Sequence, residues 1–224
     1  MGQGKKNGIG AVILFGPPGA GKGTQARKIA ARYGVPQIST GDMIRDEIYR
    51  GTELGKRAQG EIVAGRLVAD DLVNGLAFSR LSRTDCDGGF LLDGYPRTVG
   101  QGHQAHQMLE SLGHQTTVVE IQVSYNELTE RITGRRLCPK CGAIFNTYSS
   151  PPAISDICDV CHARLVVRTD DRREVIVERL RAYEEETLPI LEVFRGKGKA
   201  IYTVQGGVAE ESVALEIFEL LERI

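Results

Sequence analysis

The sequence predicts an α/β protein built on a doubly wound parallel sheet. Residues 11–15 form a continuous apolar run that ends in turn residues, which is typical of a parallel strand buried on both faces. The later strand candidates, residues 37–39, 90–92, 117–123 and 200–204, are each followed by a stretch with helical periodicity. Because strands that alternate with helices pair in parallel, these segments indicate one sheet with helices on both faces.

Two stretches interrupt this alternation and predict insertions into the core. Residues 40–68 are mainly helical in pattern and hold no further strand candidate, whereas residues 135–171 hold four cysteines, three prolines and little helical periodicity. A helical segment at residues 24–33 follows the first strand. We therefore expect a core of residues 1–38, 69–134 and 172–224, a first insertion at residues 39–68 and a second insertion at residues 135–171.

The return from the second insertion to the core has the residue spacing of a helix start. Asp171 lies three residues before Glu174, as in a capping box. The positions that follow on one helical face are Ile176, Leu180, Tyr183 and Thr187. We expect a long helix that packs this face inward.

The composition excludes several classes of protein. The chain has 224 residues, of which 41% are hydrophobic and 25% charged, and it holds no apolar run near the roughly 20 residues that span a bilayer. Lys and Arg number 28 against 29 Asp and Glu, so the chain lacks the positive excess that drives general nucleic-acid binding. We therefore expect no membrane and no nucleic-acid partner. The alternative from another class of function is a zinc-ribbon nucleic-acid-binding module driven by a P-loop ATPase, and the charge balance argues against it.

The N-terminus does not have the pattern of a targeting segment. Residues 1–6 are basic, but the apolar run after them is only five residues long and leads into a glycine-rich turn, so it is predicted to be a strand rather than a signal peptide. The Met1-Gly2 start fits myristoylation, yet Lys6 stands where Ser or Thr is needed. We expect residues 2–10 to be a mobile tail of a cytoplasmic protein.

Four of the five cysteines form two C-x2-C pairs separated by sixteen residues, namely Cys138, Cys141, Cys158 and Cys161. This spacing favours a tetrahedral Zn²⁺ site of four thiolates, with disulfides or free thiols as the alternatives. Four thiolates leave no open coordination position, so the metal would be structural. His162 is interpreted as a surface residue, and Cys86 as a small buried or half-buried one.

A glycine-rich loop follows the first strand and opens the first helix. Residues 16–24 read GPPGAGKGT, in which Lys22 meets the phosphate-loop pattern and the hydroxyl arrives one place late, at Thr24. Glycines let backbone N–H groups converge on phosphate oxygens, and the helix N-terminus adds its positive dipole end. Lys22 would reach the β and γ phosphates of a nucleotide.

This form of the loop resembles that of nucleoside monophosphate kinases, and the rest of the chain resembles the adenylate kinases segment by segment. The matching segments are residues 39–42 with Arg45, 65–68, 93–97 with Gln101, 134–136, and 168–171 with Arg179. The four cysteines, with two prolines between the pairs, resemble the zinc-bearing version of the family's long lid. The resemblance covers essentially the whole chain after the tail.

The resemblance implies a five-stranded P-loop kinase fold, with the first insertion as an AMP-binding domain and the second as a lid. It implies a monomeric cytoplasmic enzyme that converts Mg²⁺-ATP and AMP into two ADP. A kinase of the same fold with another nucleotide pair, such as a GTP:AMP or a UMP/CMP kinase, is the nearest alternative.

The resemblance also assigns residues to each nucleotide. Those expected at ATP are Gly19, Ala20, Gly21, Lys22, Gly23, Thr24, Arg131, Arg135, Ile144, Phe145 and Val208. Those expected at AMP are Thr40, Arg45, Arg66, Leu67, Val68, Gly94, Tyr95, Pro96, Arg97, Gln101, Arg168 and Arg179. Gln101 is expected to read the adenine edge.

The chemistry of phosphoryl transfer accounts for the charged residues among these. Two nucleotides bring many phosphate charges together, and the guanidinium groups expected to grip them belong to Arg45, Arg97, Arg135, Arg168 and Arg179. Asp93 ends a hydrophobic strand, where a carboxylate can hold the water shell of Mg²⁺. Lys22, Asp93 and all of these arginines except Arg45 form the expected catalytic set. The transfer needs positioning and charge stabilisation, and no Ser–His nucleophile is evident in the sequence.

Overall fold

A computed structural model of the chain describes residues 8–224 and contains one five-stranded parallel sheet. Its strands are β1 (Gly10–Phe15), β2 (Gln37–Ser39), β3 (Gly89–Asp93), β4 (Thr116–Gln122) and β7 (Ile201–Gln205), in the order β2-β3-β1-β4-β7. The central strand β1 pairs in parallel with both β3 and β4. The predicted fold class is confirmed.

Helices cover both faces of this sheet. The helices of the core are α1 (Lys22–Tyr33), α4 (Asp70–Leu81), α5 (Val99–Ser111), α6 (Tyr125–Thr133), α7 (Arg173–Ala182), α8 (Ile190–Gly196) and α9 (Glu210–Arg223). Successive residues of β1 alternate between two hydrophobic clusters: Ile13 joins the one with α5 and α8, and Val12 joins the one with α1 and α9. The continuous apolar run of β1 is thus explained by burial on both sides.

The core anchors α8 through aromatic packing. Phe194 is completely buried, and its ring meets that of Phe15 edge to face at 6.1 Å between centroids. Burial of a side chain of this size stabilises the fold by about 1.5–3 kcal/mol. The end of β1, from which the glycine-rich loop departs, is therefore rigidly supported.

The two insertions differ in structure. The first contains helices α2 (Thr40–Tyr49) and α3 (Glu53–Ala64), which confirms its predicted helical character. The second contains a short antiparallel hairpin of β5 (Arg135–Leu137) and β6 (Ile144–Asn146), which the sequence pattern did not predict. It ends in a 3₁₀ turn at Thr169–Asp171.

Two details of the predicted elements need correction. Gly10 begins β1 and pairs with Gly89, so it does not belong to a mobile tail, while residues 1–7 of that predicted tail lie outside the described residues. The capping box at Asp171 does not form, because α7 begins at Arg173 and Asp171 pairs with arginines instead.

The predicted inward face of the helix is confirmed. Ile176, Leu180 and Thr187 are buried and Tyr183 is half-buried, although Tyr183–Thr187 winds as a π-helix after α7. Within residues 8–224, no helix is both long and apolar enough to cross a membrane.

Candidate active site

A cleft of about 760 Å³ opens at the carboxyl end of β1. It is bordered by the glycine-rich loop, by the hairpin of the second insertion and by the segment between β7 and α9. Every residue that the sequence predicted at ATP lines this cleft, including Arg131, Ile144, Phe145 and Val208. The fold thus brings together residues that are far apart in the chain.

The glycine-rich loop adopts backbone conformations that demand glycine. Gly19 and Gly21 have φ of 86° and 91°, in the left-handed region that L side chains rarely adopt. Gly21 is the residue from which α1 starts, so the open N-terminus of that helix faces the cleft. Exposed N–H groups and the positive end of the helix dipole make this a site for anions such as phosphate.

Lys22 lies at the first position of α1 and folds back over the loop. Its Nζ donates hydrogen bonds to the carbonyls of Gly16 and Pro17 at 2.6 and 2.9 Å. Burial lowers the pKa of Lys22 to about 7, against the opposing effect of Asp93, and the charges of nearby arginines lower it further. A phosphate at this position would relieve the excess of positive charge.

Asp93 ends β3 and faces the glycine-rich loop. Its Oδ2 accepts a hydrogen bond from Nε2 of Gln37 at 3.0 Å, and a Cβ on Gly23 would lie only 3.2 Å from the same oxygen. The carboxylate therefore stands beside the start of α1, where the Thr24 side chain also borders the cleft. Hard oxygen ligands next to a phosphate site are the kind that Mg²⁺ takes, so these residues fit that ion.

Arg97 and Arg45 converge on one small residue of the first insertion. A Cβ on Gly41 would lie 3.1 Å from Arg45 Nη2 and 3.4 Å from Arg97 Nη2, so glycine leaves room for both guanidinium groups. Arg97 is held in turn by a 2.7 Å hydrogen bond from its Nε to the Gly94 carbonyl. Burial lowers the pKa of Arg97 to about 10, and Arg179 and Arg45 contribute by charge repulsion.

Carboxylates that the sequence interpretation did not assign to the site hold the other arginines. Asp171 is completely buried and accepts from Nε of Arg135 at 2.7 Å and from Nη1 of Arg179 at 2.7 Å. This long-range pairing is the physical reason why Asp171 does not cap α7. The sequence does show acidic residues next to Arg168. It does not show which arginines they pair with, because those partners lie far away along the chain.

The two insertions touch across the cleft through charged side chains. Arg168 Nη2 donates to Asp42 Oδ1 at 3.4 Å, and Arg45 lies 3.8 Å from Asp170. Arg168 Nε is buried without a hydrogen-bond partner among the described residues, and burial lowers the pKa of Arg168 to about 10, with repulsion from Arg45 and Arg135. A buried, unpartnered guanidinium N–H is a donor available to an anionic ligand.

The residues predicted at AMP do not all lie in one place, and Arg45 and Arg168 line the large cleft. A smaller cavity of about 80 Å³ beside Lys22 is lined by Leu67, Gly94, Pro96, Arg97 and Arg179. Several others are engaged within the protein. Thr40 donates to the Gly94 carbonyl, Tyr95 donates to Asn74, Val68 lies in the core, and Arg66 pairs with Glu61.

Gln101 is buried in the first turn of α5 and lines neither the cleft nor the smaller cavity. Its Nε2 donates to Oδ1 of Asp70 and its Oε1 accepts from the backbone N–H of Arg97, both at 2.8 Å. One amide hydrogen and one lone pair are left for another partner.

The four cysteines predicted as metal ligands meet in the second insertion. Their sulfurs all lie within 4.8 Å of one another, and the pairs Cys138–Cys161 and Cys141–Cys158 lie 3.3 and 3.5 Å apart. Disulfide bonding requires about 2.05 Å, whereas four thiolates around one Zn²⁺ lie about 3.8 Å apart. The donor set therefore fits a tetrahedral metal.

The backbone around these cysteines repeats the same turn twice. Gly142 N donates to the Cys138 carbonyl and His162 N to the Cys158 carbonyl, and both donors have positive φ, of 73° and 58°. Burial opposes ionisation of Cys138, yet the N–H of Cys141 and the thiol of Cys161 lower its pKa to about 6. His162 is exposed and Cys86 is buried, as predicted.

Comparison with known proteins places the chain among enzymes of one kind. Residues 14–199 match the family model described as adenylate kinase. Similar curated proteins include adenylate kinases of Caldanaerobacter subterraneus subsp. tengcongensis (44% identical, 94% of this chain and 95% of that protein) and Archaeoglobus fulgidus (44%, 95% and 98%). Another, from Pelobacter propionicus, is 46% identical over 94% of this chain and 96% of its own length.

Proposed function

The chain belongs to the adenylate kinase family and is an ATP:AMP phosphotransferase, and from that premise we propose that the cleft between the phosphate loop and the second insertion is where it transfers the phosphoryl group. The observation that carries this proposal is the convergence of cations around the open start of α1. Burial lowers the pKa values of Lys22, Arg97 and Arg168, and the charges of neighbouring arginines lower each of them further. Such crowding is unfavourable unless anions occupy the site.

The reaction moves one phosphoryl group between two nucleotides. A phosphate oxygen of AMP forms a bond to the γ-phosphorus of ATP, while the bond from that phosphorus to the β–γ bridging oxygen breaks and leaves ADP. Little covalent chemistry is required of the protein, which supplies alignment and charge stabilisation. Lys22 would stabilise the β and γ phosphates, and Arg97, Arg135, Arg168 and Arg179 would hold the oxygens on both sides.

Asp93 and Thr24 are the residues that would hold Mg²⁺ with ATP. When bound, the ion would supply positive charge that offsets the charge developing during transfer. Gln37 and Gly23 support this role, because the first fixes Oδ2 of Asp93 and the second lets the carboxylate approach the loop.

The first insertion, residues 39–68, is proposed as the AMP-binding domain. Arg45 and Arg97 would grip the AMP phosphate beside Gly41, and Leu67 and Pro96 would contact its nucleoside. Gln101 would read the adenine edge through the amide hydrogen and lone pair that Asp70 and Arg97 leave free. The close contact between Asp42 and Arg168 supports closure of the two insertions over the nucleotides, which would exclude water from the transfer.

The second insertion, residues 135–171, is proposed as a lid braced by structural Zn²⁺. The four sulfurs support this proposal by their spacing, and Leu165 and Phe145 pack beside them in a small hydrophobic cluster. The two C-x2-C pairs would hold the metal between them, and when bound it would supply a cross-link within the lid. Arg135 and Arg168 flank the lid and would act on phosphate independently of the metal.

We propose that the enzyme works as a cytoplasmic monomer on ATP, AMP and ADP, without nucleic-acid or membrane partners. One chain supplies the cleft and all of its cations, which supports activity without a second subunit. Reduced thiolate ligands also suit a reducing compartment.

A coupled assay that compares AMP, GMP, CMP and UMP as acceptors and ATP with GTP as donors tests the nucleotide pair. We expect AMP and ATP to give the highest kcat/KM. Higher kcat/KM with GTP, or with UMP or CMP, would instead assign the chain to another nucleotide pair of the same fold.

A further inference from the structure

Asp70 begins α4 and contacts the first turn of α5 at two points. Its Oδ1 accepts from Nε2 of Gln101 and its Oδ2 accepts from Oγ1 of Thr98, both at 2.8 Å. Thr98 is also the N-cap of α5, where its Oγ1 accepts from the N–H of Gln101. The half-buried carboxylate therefore joins the helix that follows the first insertion to the helix that carries Gln101.

The two neighbours of the Gln101 amide require the same orientation. An ionised carboxylate only accepts hydrogen bonds, so Asp70 requires Nε2 on its side. The backbone N–H of Arg97 only donates, so it requires Oε1 on the other side. A flipped amide would place two acceptors together at Asp70 and two donors together at Arg97.

The orientation matters because adenine and hypoxanthine have reversed hydrogen-bond donors and acceptors on the same edge of the base. Adenine offers an acceptor at N1 and a donor at N6, whereas hypoxanthine offers a donor at N1 and an acceptor at O6. An amide that pairs with one base must turn over to pair with the other. Inosine monophosphate (IMP) keeps the purine shape, ribose and phosphate of AMP, so it isolates this difference.

We propose that Asp70 is a specificity-determining positioning residue, which fixes the Gln101 amide in the orientation that accepts AMP and rejects 6-oxopurine monophosphates. The inference rests on the proposed reading of adenine by Gln101. It adds a residue of α4 that lines neither the cleft nor the smaller cavity and would act only through the amide.

Gly100 provides independent support for this arrangement. A Cβ at this position would lie 2.8 Å from Oδ2 of Asp70, too close for the carboxylate to stay in place. Gly100→Ala should therefore displace Asp70 while retaining its charge. Alanine favours helix over glycine, so the substitution should not weaken α5 through helix propensity.

The experiment measures the ratio of kcat/KM for AMP to that for IMP, with ATP as donor. We expect Asp70→Ala and Gly100→Ala each to lower this ratio by about tenfold, the effect of losing one well-placed hydrogen-bond partner. Asp71→Ala is the matched control, because Asp71 lies in the same helical turn, carries the same charge and has an exposed side chain near Arg57. The control should keep the wild-type ratio.

Gln101→Ala separates failure of this inference from failure of base reading by Gln101. If Gln101→Ala leaves the ratio unchanged, Gln101 does not read the base, and the role of Asp70 is overturned with it. If Gln101→Ala lowers the ratio but Asp70→Ala does not, only the positioning role is overturned. A purely structural role for Asp70 would reduce kcat/KM for AMP and IMP equally, and this outcome also contradicts the inference.

The double variant tests whether Asp70 acts through the amide. In a Gln101→Ala background, Asp70→Ala should cause no further change in the AMP:IMP ratio. A further drop in this ratio of similar size would show that Asp70 acts independently of the Gln101 amide, which would overturn the proposed positioning role.

Discussion

Arg135 and Asp171 form a two-point ion pair across the base of the second insertion. Nε of Arg135 donates to Oδ2 of Asp171 at 2.7 Å and Nη2 donates to Oδ1. Asp171 is completely buried and also accepts from Arg179, so one carboxylate sets the position of two cations proposed to grip phosphate. The pair joins the first and last residues of the proposed lid.

Asp171→Asn should therefore reduce both stability and turnover. The substitution leaves the largely buried Arg135 without its ion-pair partner and leaves Arg179 with Asp170 alone, at 3.3 Å; breaking a buried pair costs about 3 kcal/mol or more. The free energy of unfolding measured in denaturant and kcat should both fall. The control is Glu174→Gln, which removes an exposed carboxylate from the first turn of α7 and should leave both near the wild-type values. If neither the free energy of unfolding nor kcat changes, Asp171 does not hold these arginines.

The lowered pKa of Lys22 predicts proton uptake on nucleotide binding. Burial and nearby arginines lower this pKa to about 7, so at pH 8 the free enzyme holds Lys22 mostly as the neutral amine. Bound phosphate raises the pKa again, and the amine should then take up close to one proton.

Calorimetry in buffers of different ionisation enthalpy measures this uptake. The titrant is a non-hydrolysable ATP analogue with Mg²⁺ at pH 8. Lys22→Met should abolish the uptake, whereas Lys56→Met, at an exposed lysine that pairs with Glu53, should preserve it. Binding by the wild type without proton uptake would contradict the lowered pKa.

The cysteine cluster predicts a metal that stabilises the fold without taking part in catalysis. Cys138→Ser or Cys158→Ser should remove about one bound metal per chain and lower the Tm, by about 2–4 °C for each kcal/mol of stability lost. At a temperature where the variants stay folded, kcat should largely survive, because four thiolates leave no position for substrate.

Cys86→Ser is the control for the metal experiment. Cys86 lies outside the cluster, so its substitution should leave the metal content unchanged. Complete loss of kcat in folded Cys138→Ser would indicate that the metal acts in catalysis, and an unchanged Tm would indicate that it does not brace the lid.

Local sequence patterns were sufficient to predict the elements that depend on local rules. Three features could be predicted from a few neighbouring residues each: the strand β1 from its apolar run, the loop after it from its glycines, and the cysteine cluster from the C-x2-C pairs. The order of neighbouring elements was enough to predict the parallel sheet.

Contacts between distant residues could not be predicted in the same way. Asp171 has the spacing of a helix cap but pairs with Arg135, 36 residues away, and Asp70 meets Gln101, 31 residues away. The β5–β6 hairpin has strands of three residues each in an insertion with little periodicity, so the sequence pattern did not reveal them. These features depend on how the elements pack, which periodicity alone does not encode.

The steady-state kcat of Lys22→Met, in protein shown to be folded, tests most directly the claim that the cations around the phosphate loop carry the transfer. The ammonium stabilises charge on the transferring phosphoryl group, so its removal should nearly abolish turnover, while Lys56→Met should retain wild-type kcat. Retention of more than about a tenth of wild-type kcat, which corresponds to a loss of less than about 1.4 kcal/mol of transition-state stabilisation, would contradict the account.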